Sequence, residues 1–248
     1  MTTLYRSLHI LSEDDDYIFI NKSAGMLTLP DRFDNSIPSL YHILKVHYGD
    51  IFIVHRIDKQ TSGVIAFAKN ADAHKELNQQ FESHQVKKTY WALVQGTLKN
   101  DNGEIDLAIG ESSSKAGTMK IDTANGKKSV TEYRVIERFI NYTLVEVEPL
   151  SGRTHQIRVH FKAIGHPLAV DELYGNANGI KLSAIKKNYK IKGGDVEKPL
   201  ISRLTLHAKS LSFHHFRSRQ AVTVEAPLPK DFDRTVKQLR KSNALRVL

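Results

Sequence analysis

The sequence predicts an α+β fold built on a mixed, largely antiparallel sheet with helices packed against it. Short runs rich in β-branched and aromatic residues recur along the chain, among them Tyr17 to Ile20, Ile51 to Val54, Val64 to Ala68 and Val86 to Val94. Each is too short for a buried helix and reads as a strand. Scattered between them are a few stretches whose apolar residues recur at helical spacing. There is no internal repeat and no linker long enough to divide the chain, so residues 1–248 are expected to form a single domain.

In chain order, Leu8 to Leu11 and Tyr17 to Ile20 predict two strands separated by Ser12-Glu13-Asp14-Asp15-Asp16. This acidic cluster lacks EF-hand spacing with a closing Glu, so it is read as a solvated turn and not as a calcium site. From Pro38 to Tyr48, Leu40, Ile43, Leu44 and Tyr48 mark one face of a helix that Gly49 ends. Asn70 caps a second helix through Ala73, Leu77 and Phe81. Residues 97–128 are rich in Gly, Ser, Asn and Lys, with one strand expected at Glu104 to Ile109. Gly126-Lys127-Lys128-Ser129 lacks phosphate-loop spacing and is rejected as one.

Val130 to Phe139 and Tyr142 to Val147 are expected to pair across Ile140-Asn141, with Thr143, Val145 and Val147 alternating against Leu144, Glu146 and Glu148. Thr154 is placed as the cap of a helix running to about Ile164, ended by Gly165 and Pro167. On it Ile157, Phe161 and Ile164 form an apolar row, while His155, Arg158 and Lys162 share another face. His155 and His160 are five apart and therefore off a common face, which argues against a metal site. Ala221 to Glu225 predicts a further strand, and Phe232, Val236 and Leu239 a last helix.

Lys and Arg number 36 against 27 Asp and Glu, for a net charge of +9. Such an excess favours polyanionic partners, since each phosphate neutralised by a cationic side chain releases counterions. The absence of cysteine excludes disulfides, thiolate metal sites and thiol nucleophiles. No secretory leader and no run of membrane-spanning length is recognisable. A cytoplasmic protein with no membrane partner, acting as a monomer, is expected. Between Asn176 and Pro199 lies a polar, lysine-rich stretch containing Lys181, Lys186, Lys187, Lys190, Lys192 and Lys198, broken by Gly193-Gly194. It reads as an insertion-like surface segment whose ordinary explanation is solvated charge.

The stretch around which the chain is organised is His55-Arg56-Ile57-Asp58-Lys59-Gln60-Thr61-Ser62-Gly63, a polar loop gripped by two core strands. It resembles the His-Arg-Leu-Asp-x-x-Thr-Ser-Gly signature of the RluA-type pseudouridine synthases, with Ile57 in place of Leu. Asn21-Lys22-Ser23-Ala24-Gly25 is similar to the family's Asn-Lys-Pro-x-Gly segment, with Ser23 where Pro is usual. Lys88-Thr89-Tyr90 and Gly152-Arg153-Thr154-His155-Gln156-Ile157-Arg158-Val159-His160 resemble two further signatures, Gly165 to Leu168, Asp171 and Leu173-Tyr174-Gly175 also match, and Ile201 to Ala208 resembles a C-terminal strand of the family. The likeness runs from about Leu8 to Pro229. With the first such strand near residue 8, no room is expected before it for the small S4 domain of some relatives.

The resemblance implies a fold with a central catalytic cleft and the isomerisation of uridine to pseudouridine in structured RNA, ribosomal or transfer, without metal, nucleotide or redox cofactor. It makes Asp58 the catalytic carboxylate, Tyr90 the active-site tyrosine, Arg158 the arginine paired with that carboxylate, and Ile157 the apolar neighbour of the bound base. Arg56 is the candidate for holding the distorted RNA, because a planar guanidinium can fill a vacated stack and bind phosphate together. Two other classes stay open. One is an idle RNA-binding protein of the same fold, against which the presence of Asp58, Tyr90 and Arg158 argues. The other is a glycosidase-like hydrolase, which needs a second carboxylate that the Asp58 loop does not supply.

Overall fold

A computed structural model describes residues 3–243 apart from 32, 33, 35, 187, 188 and 190–194. Lys187, Lys190, Lys192 and Gly193-Gly194 of the basic segment therefore lie outside the described residues. The elements in order are α1 (Thr3–Arg6), β1 (Ile10–Glu13), β2 (Tyr17–Lys22), α2 (Leu40–Tyr48), β3 (Phe52–Ile53), β4 (Ser62–Ala68), α3 (Ala71–Glu82) and β5 (Lys87–Gln95). There follow β6 (Asn102–Asp106), β7 (Ile109–Glu111), β8 (Met119–Ile121), β9 (Val130–Arg138), β10 (Tyr142–Pro149), α4 (Gln156–Ala163), β11 (Leu206–His214), β12 (Ala221–Glu225) and α5 (Lys230–Asn243). The chain forms two compact units, one of Met1–Tyr90 with His207–Pro227 and one of Trp91–Leu206 with Leu228–Leu248. The fold is α+β, mostly antiparallel, and mixed because β4 and β11 run parallel. Among the described residues no helix is long and apolar enough to cross a membrane.

In the first unit the strand order is β1-β2-β4-β11, with β12 on β11 and β3 on β4. Every residue of β4 is buried, as expected of a strand covered on both faces. Strand β2 takes one edge of β4 along its length, from Tyr17 opposite Ala68 to Lys22 opposite Gly63. The other edge is shared, with β11 parallel at Ser62-Gly63 and β3 antiparallel at Phe67-Ala68. The loop that leaves β3 must therefore return along that edge to begin β4, and this loop carries the organising motif. Helix α2 is capped by the Ser39 hydroxyl and closed at Gly49, and α3 by the Asn70 side chain on the Ala73 N–H. Both buried stripes face this unit's core.

The acidic turn is exposed from Ser12 to Asp15, as its solvated reading expects, and departs from that reading at Asp16. Asp14 Oδ1 accepts the N–H groups of Asp16 and Tyr17, which shapes the turn. Asp16 is buried and takes a bidentate pair from Arg217 at 2.6 and 2.8 Å. The Arg217 hydrogen bonds hold the Asp16 carboxyl below the usual carboxylate range, against its burial.

In the second unit the order is β5-β10-β9-β6, with β7 and β8 a separate hairpin. The β9–β10 pair closes where Phe139 N–H meets the Tyr142 carbonyl. Thr143, Leu144, Val145 and Val147 are buried, while Glu146 and Glu148 are half-exposed. Phe232, Val236 and Leu239 seat α5 on a core that includes Leu93, Phe139 and Leu144. Three expectations are corrected. The single strand at Glu104 to Ile109 is β6 followed by the β7–β8 hairpin; the strand placed at Ile201 to Ala208 begins at Leu206 and runs to His214. The cap of α4 is not Thr154 but His155, in the left-handed conformation at φ 56° and without a side-chain cap bond.

Candidate active site

The loop between β3 and β4 is pinned along its backbone. Ile57 is 7% exposed and packs in the first unit's core, and its carbonyl accepts from the Thr28 hydroxyl at 3.0 Å. The Lys59 carbonyl accepts both the Gly25 N–H at 2.8 Å and the Lys22 ammonium at 3.0 Å. Thr61 N–H then closes a turn onto the Asp58 carbonyl. Asp58 sits between these fixed points with its side chain half-buried, whereas Arg56 is exposed. Anchoring the residues on either side is how a loop can hold a reactive carboxylate with strand-like precision.

Two residues of this frame carry more than their motif positions suggested. His55 Nε2 accepts the Ala66 N–H at 3.0 Å, and its ring stacks on Phe81 at 4.9 Å. Burial and the nearby Lys88 charge push its pKa down to about 3, so it stays neutral and keeps that bond. Because the unfolded chain takes up this proton from pH 6.5 downward and the folded one does not, His55 weakens folding progressively between pH 6.5 and about 3. Lys22 is 1% exposed, and its ammonium donates to the carbonyls of Ser23, Met26 and Lys59. It ties the Ser23-containing loop to the Asp58 loop. Lys22→Met is expected to lower the unfolding free energy by about 2–3 kcal/mol, since charged hydrogen bonds are lost and carbonyls left unsatisfied. Urea unfolding of the two proteins checks this.

Tyr90, on β5, is half-buried and packs against the first unit's core. Burial pushes its hydroxyl pKa up, and the Asp58 charge pushes the same way. The phenol is thus protonated at neutral pH and lies within the field of the Asp58 carboxylate. Two residues earlier, on the same face of the strand, burial brings the Lys88 ammonium down to about 8.

Ile157 and Arg158 belong to the second unit, on α4. Gln156 fixes the start of this helix: its carbonyl accepts from the Ser151 hydroxyl and the Arg153 N–H, and its amide donates to Val130 and Thr131. Ile157 is 6% exposed and Arg158 4%, so Arg158 is no solvated surface cation. Within its unit Arg158 donates from Nε and Nη2 to the two Asp171 oxygens, each at 2.8 Å. The face predicted for His155, Arg158 and Lys162 exists, and all three side chains meet Tyr174. His160 is buried between Thr131 and the Leu107 carbonyl. Among the described residues, Asp14, Asp16 and His215 are the one group spaced to hold a metal. There Arg217 already neutralises Asp16.

Comparison with known proteins gives one consistent answer. A family model described as RNA pseudouridylate synthase matches residues 16–163. An uncharacterized RNA pseudouridine synthase, YlyB of Bacillus subtilis, is 38% identical over 244 residues, covering 95% of this chain and 74% of its own. The dual-specificity RNA pseudouridine synthase RluA of Vibrio vulnificus is 34% identical over 214 residues, covering 84% and 78%. Among solved structures, human RNA pseudouridylate synthase domain containing 4 superimposes with a TM-score of 0.71 at 25% identity, covering 94% of this chain and 93% of that one.

Proposed function

Since this chain belongs to the RNA pseudouridylate synthase family and is an RNA pseudouridine synthase, an isomerase, we propose that it modifies specific uridines in structured ribosomal or transfer RNA with Asp58 as the reacting carboxylate. The observation that carries this reading is the pinned Asp58 loop, with the protonated Tyr90 phenol in the field of its carboxylate.

The reaction breaks the N1–C1′ bond of uridine, turns the base, joins C5 to C1′ and releases the C5 proton. Asp58 either attacks C1′ or removes a sugar proton, and both routes use the same fixed carboxylate. A uridine stacked in RNA cannot reach such a group, so the nucleotide is flipped out. Exposed Arg56, two residues from Asp58, holds the distorted RNA by stacking and phosphate binding. Ile157 offers the base an apolar neighbour. To Arg158 we assign the role that the family resemblance implies, pairing with the catalytic carboxylate. The net charge of +9 supplies the sequence-independent part of RNA affinity.

Tyr90 stacks on uracil and assists loss of the C5 proton as a relay, its oxygen accepting that proton while the phenol passes its own to the Asp58 carboxylate, which is free again once C5 has joined C1′. Tyr90→Phe is therefore expected to keep RNA affinity and slow the single-turnover rate by about 10–100-fold, at a step after N1–C1′ cleavage. Rapid-quench measurement of the two steps checks this, and an unchanged rate would leave Tyr90 with stacking alone. Mapping pseudouridine in RNA from cells with and without the gene identifies the target uridine.

A further inference from the structure

Arg158 sits in a buried device that extends beyond its ion pair. Asp171 is fully buried, and both of its oxygens are engaged by the Arg158 guanidinium. Its Oδ1 also accepts the N–H groups of Leu173 and Tyr174, so the carboxylate cannot rotate without losing several bonds. The Tyr174 ring lies against the guanidinium with 4.9 Å from its centroid to Arg158 Cζ. One partner thus fixes the rotation of the guanidinium within its plane, and the other fixes the plane itself.

The hydroxyl of Tyr174 extends the device in two directions. It accepts the Met119 N–H of β8 at 2.7 Å and shares a 2.8 Å hydrogen bond with Nδ1 of His155. His155 occupies the left-handed region at φ 56°, a conformation costly for a residue with a Cβ and kept only where surrounding bonds enforce it. The start of α4, the β7–β8 hairpin and the Asp171–Tyr174 turn therefore converge on one arginine.

We propose that Asp171 and Tyr174 are positioning residues that hold the Arg158 guanidinium in its working orientation, a role resting on the reading that Arg158 acts in the reaction. With Asp171 taking Nε and one Nη2 proton, the guanidinium is orientated in the protein before RNA arrives. Its charge is already balanced by Asp171, so it contributes direction in the reaction more than net attraction for phosphate. Misplacing such a group by about 1 Å can cost on the order of 100-fold in rate.

The test is a double-mutant cycle on the full chain, read as single-turnover rate at saturating RNA, with RNA affinity and unfolding temperature measured alongside. Arg158→Met and Asp171→Asn are each expected to slow turnover by about 10–100-fold with affinity within about threefold. Adding Asp171→Asn to Arg158→Met should slow it no further. A merely structural Asp171 would slow both backgrounds alike, and that additive result would overturn the proposal, as would Asp171→Asn turning over at the wild-type rate. If Asp171→Asn does not fold, Tyr174→Leu leaves the ion pair in place and is expected to lose about 5–10-fold in rate, again only when Arg158 is present. Equal losses with and without Arg158 would overturn it. Wild-type turnover by Arg158→Met would remove the role of Arg158 itself and the proposal with it, whereas slow Arg158→Met beside wild-type Asp171→Asn would sink the proposal alone.

Discussion

Asp58→Asn is expected to reduce pseudouridine formation by at least about 1,000-fold, since the amide can act neither as a nucleophile toward C1′ nor as a base toward the sugar. Asparagine is nearly isosteric, and the loop around it is fixed by bonds that do not involve the Asp58 side chain. The Thr28 hydroxyl grips the Ile57 carbonyl, Lys22 and Gly25 grip the Lys59 carbonyl, and Thr61 N–H reaches the Asp58 backbone. The variant should therefore unfold at nearly the wild-type urea concentration and bind RNA within about threefold of wild type. Burial is the larger cause of the raised Tyr90 pKa, and replacing the carboxylate removes the second, the Asp58 charge. Titrating Tyr90 should accordingly show a smaller upward shift in Asp58→Asn than in the wild type. Turnover near the wild-type rate would remove Asp58 from the chemistry.

Gly63→Ala is the substitution expected to damage the fold most. Gly63 ends the organising motif and lies in the parallel pairing of β4 with β11, next to Ser62 and opposite Ala208. Its φ of +114° is one that a residue with a Cβ rarely adopts, and a Cβ there would lie 2.1 Å from the Ala208 carbonyl oxygen. The obstructing atoms belong to a strand backbone and cannot rotate away. Accommodation would require β4 and β11 to part at Ser62-Gly63, and with them the Ser62–His207 hydrogen bond of 3.0 Å. A loss of about 3–5 kcal/mol is expected, at the upper end of single-residue effects. Urea unfolding monitored by circular dichroism measures it, and a midpoint equal to that of the wild type would show that the strands yield more readily than their geometry implies.

The sequence revealed the parts of this molecule whose cause is local. Ser39, Gly49 and Asn70 act through bonds to their own helices; Gly49, Asn70 and the apolar stripes made α2 and α3 legible, while the Ser39 cap was not singled out. The Asp58 loop was visible because two apolar runs bracket a polar motif. Long-range partners were not visible. Lys22 works by donating to three backbone carbonyls, groups that every residue carries and no side-chain pattern marks. Arg158 pairs with Asp171 in an irregular turn, and no helical or strand period connects the two. The preference for Ser or Thr caps pointed to Thr154, while the actual cap, His155, is held in a left-handed conformation beside Tyr174. The β7–β8 hairpin escaped notice because strands of three residues show too little alternation to stand out from polar loop sequence.

The central claim is that a carboxylate at Asp58 drives an isomerisation that keeps base and sugar in the same molecule. It is tested most directly with target RNA carrying tritium at uridine C5, since forming the C5–C1′ bond must expel that hydrogen. The wild-type protein should release one tritium to water for each pseudouridine found on digestion, with no free uracil, and Asp58→Asn should release none. Free uracil from the wild type, or tritium release by Asp58→Asn at the wild-type rate, would contradict it.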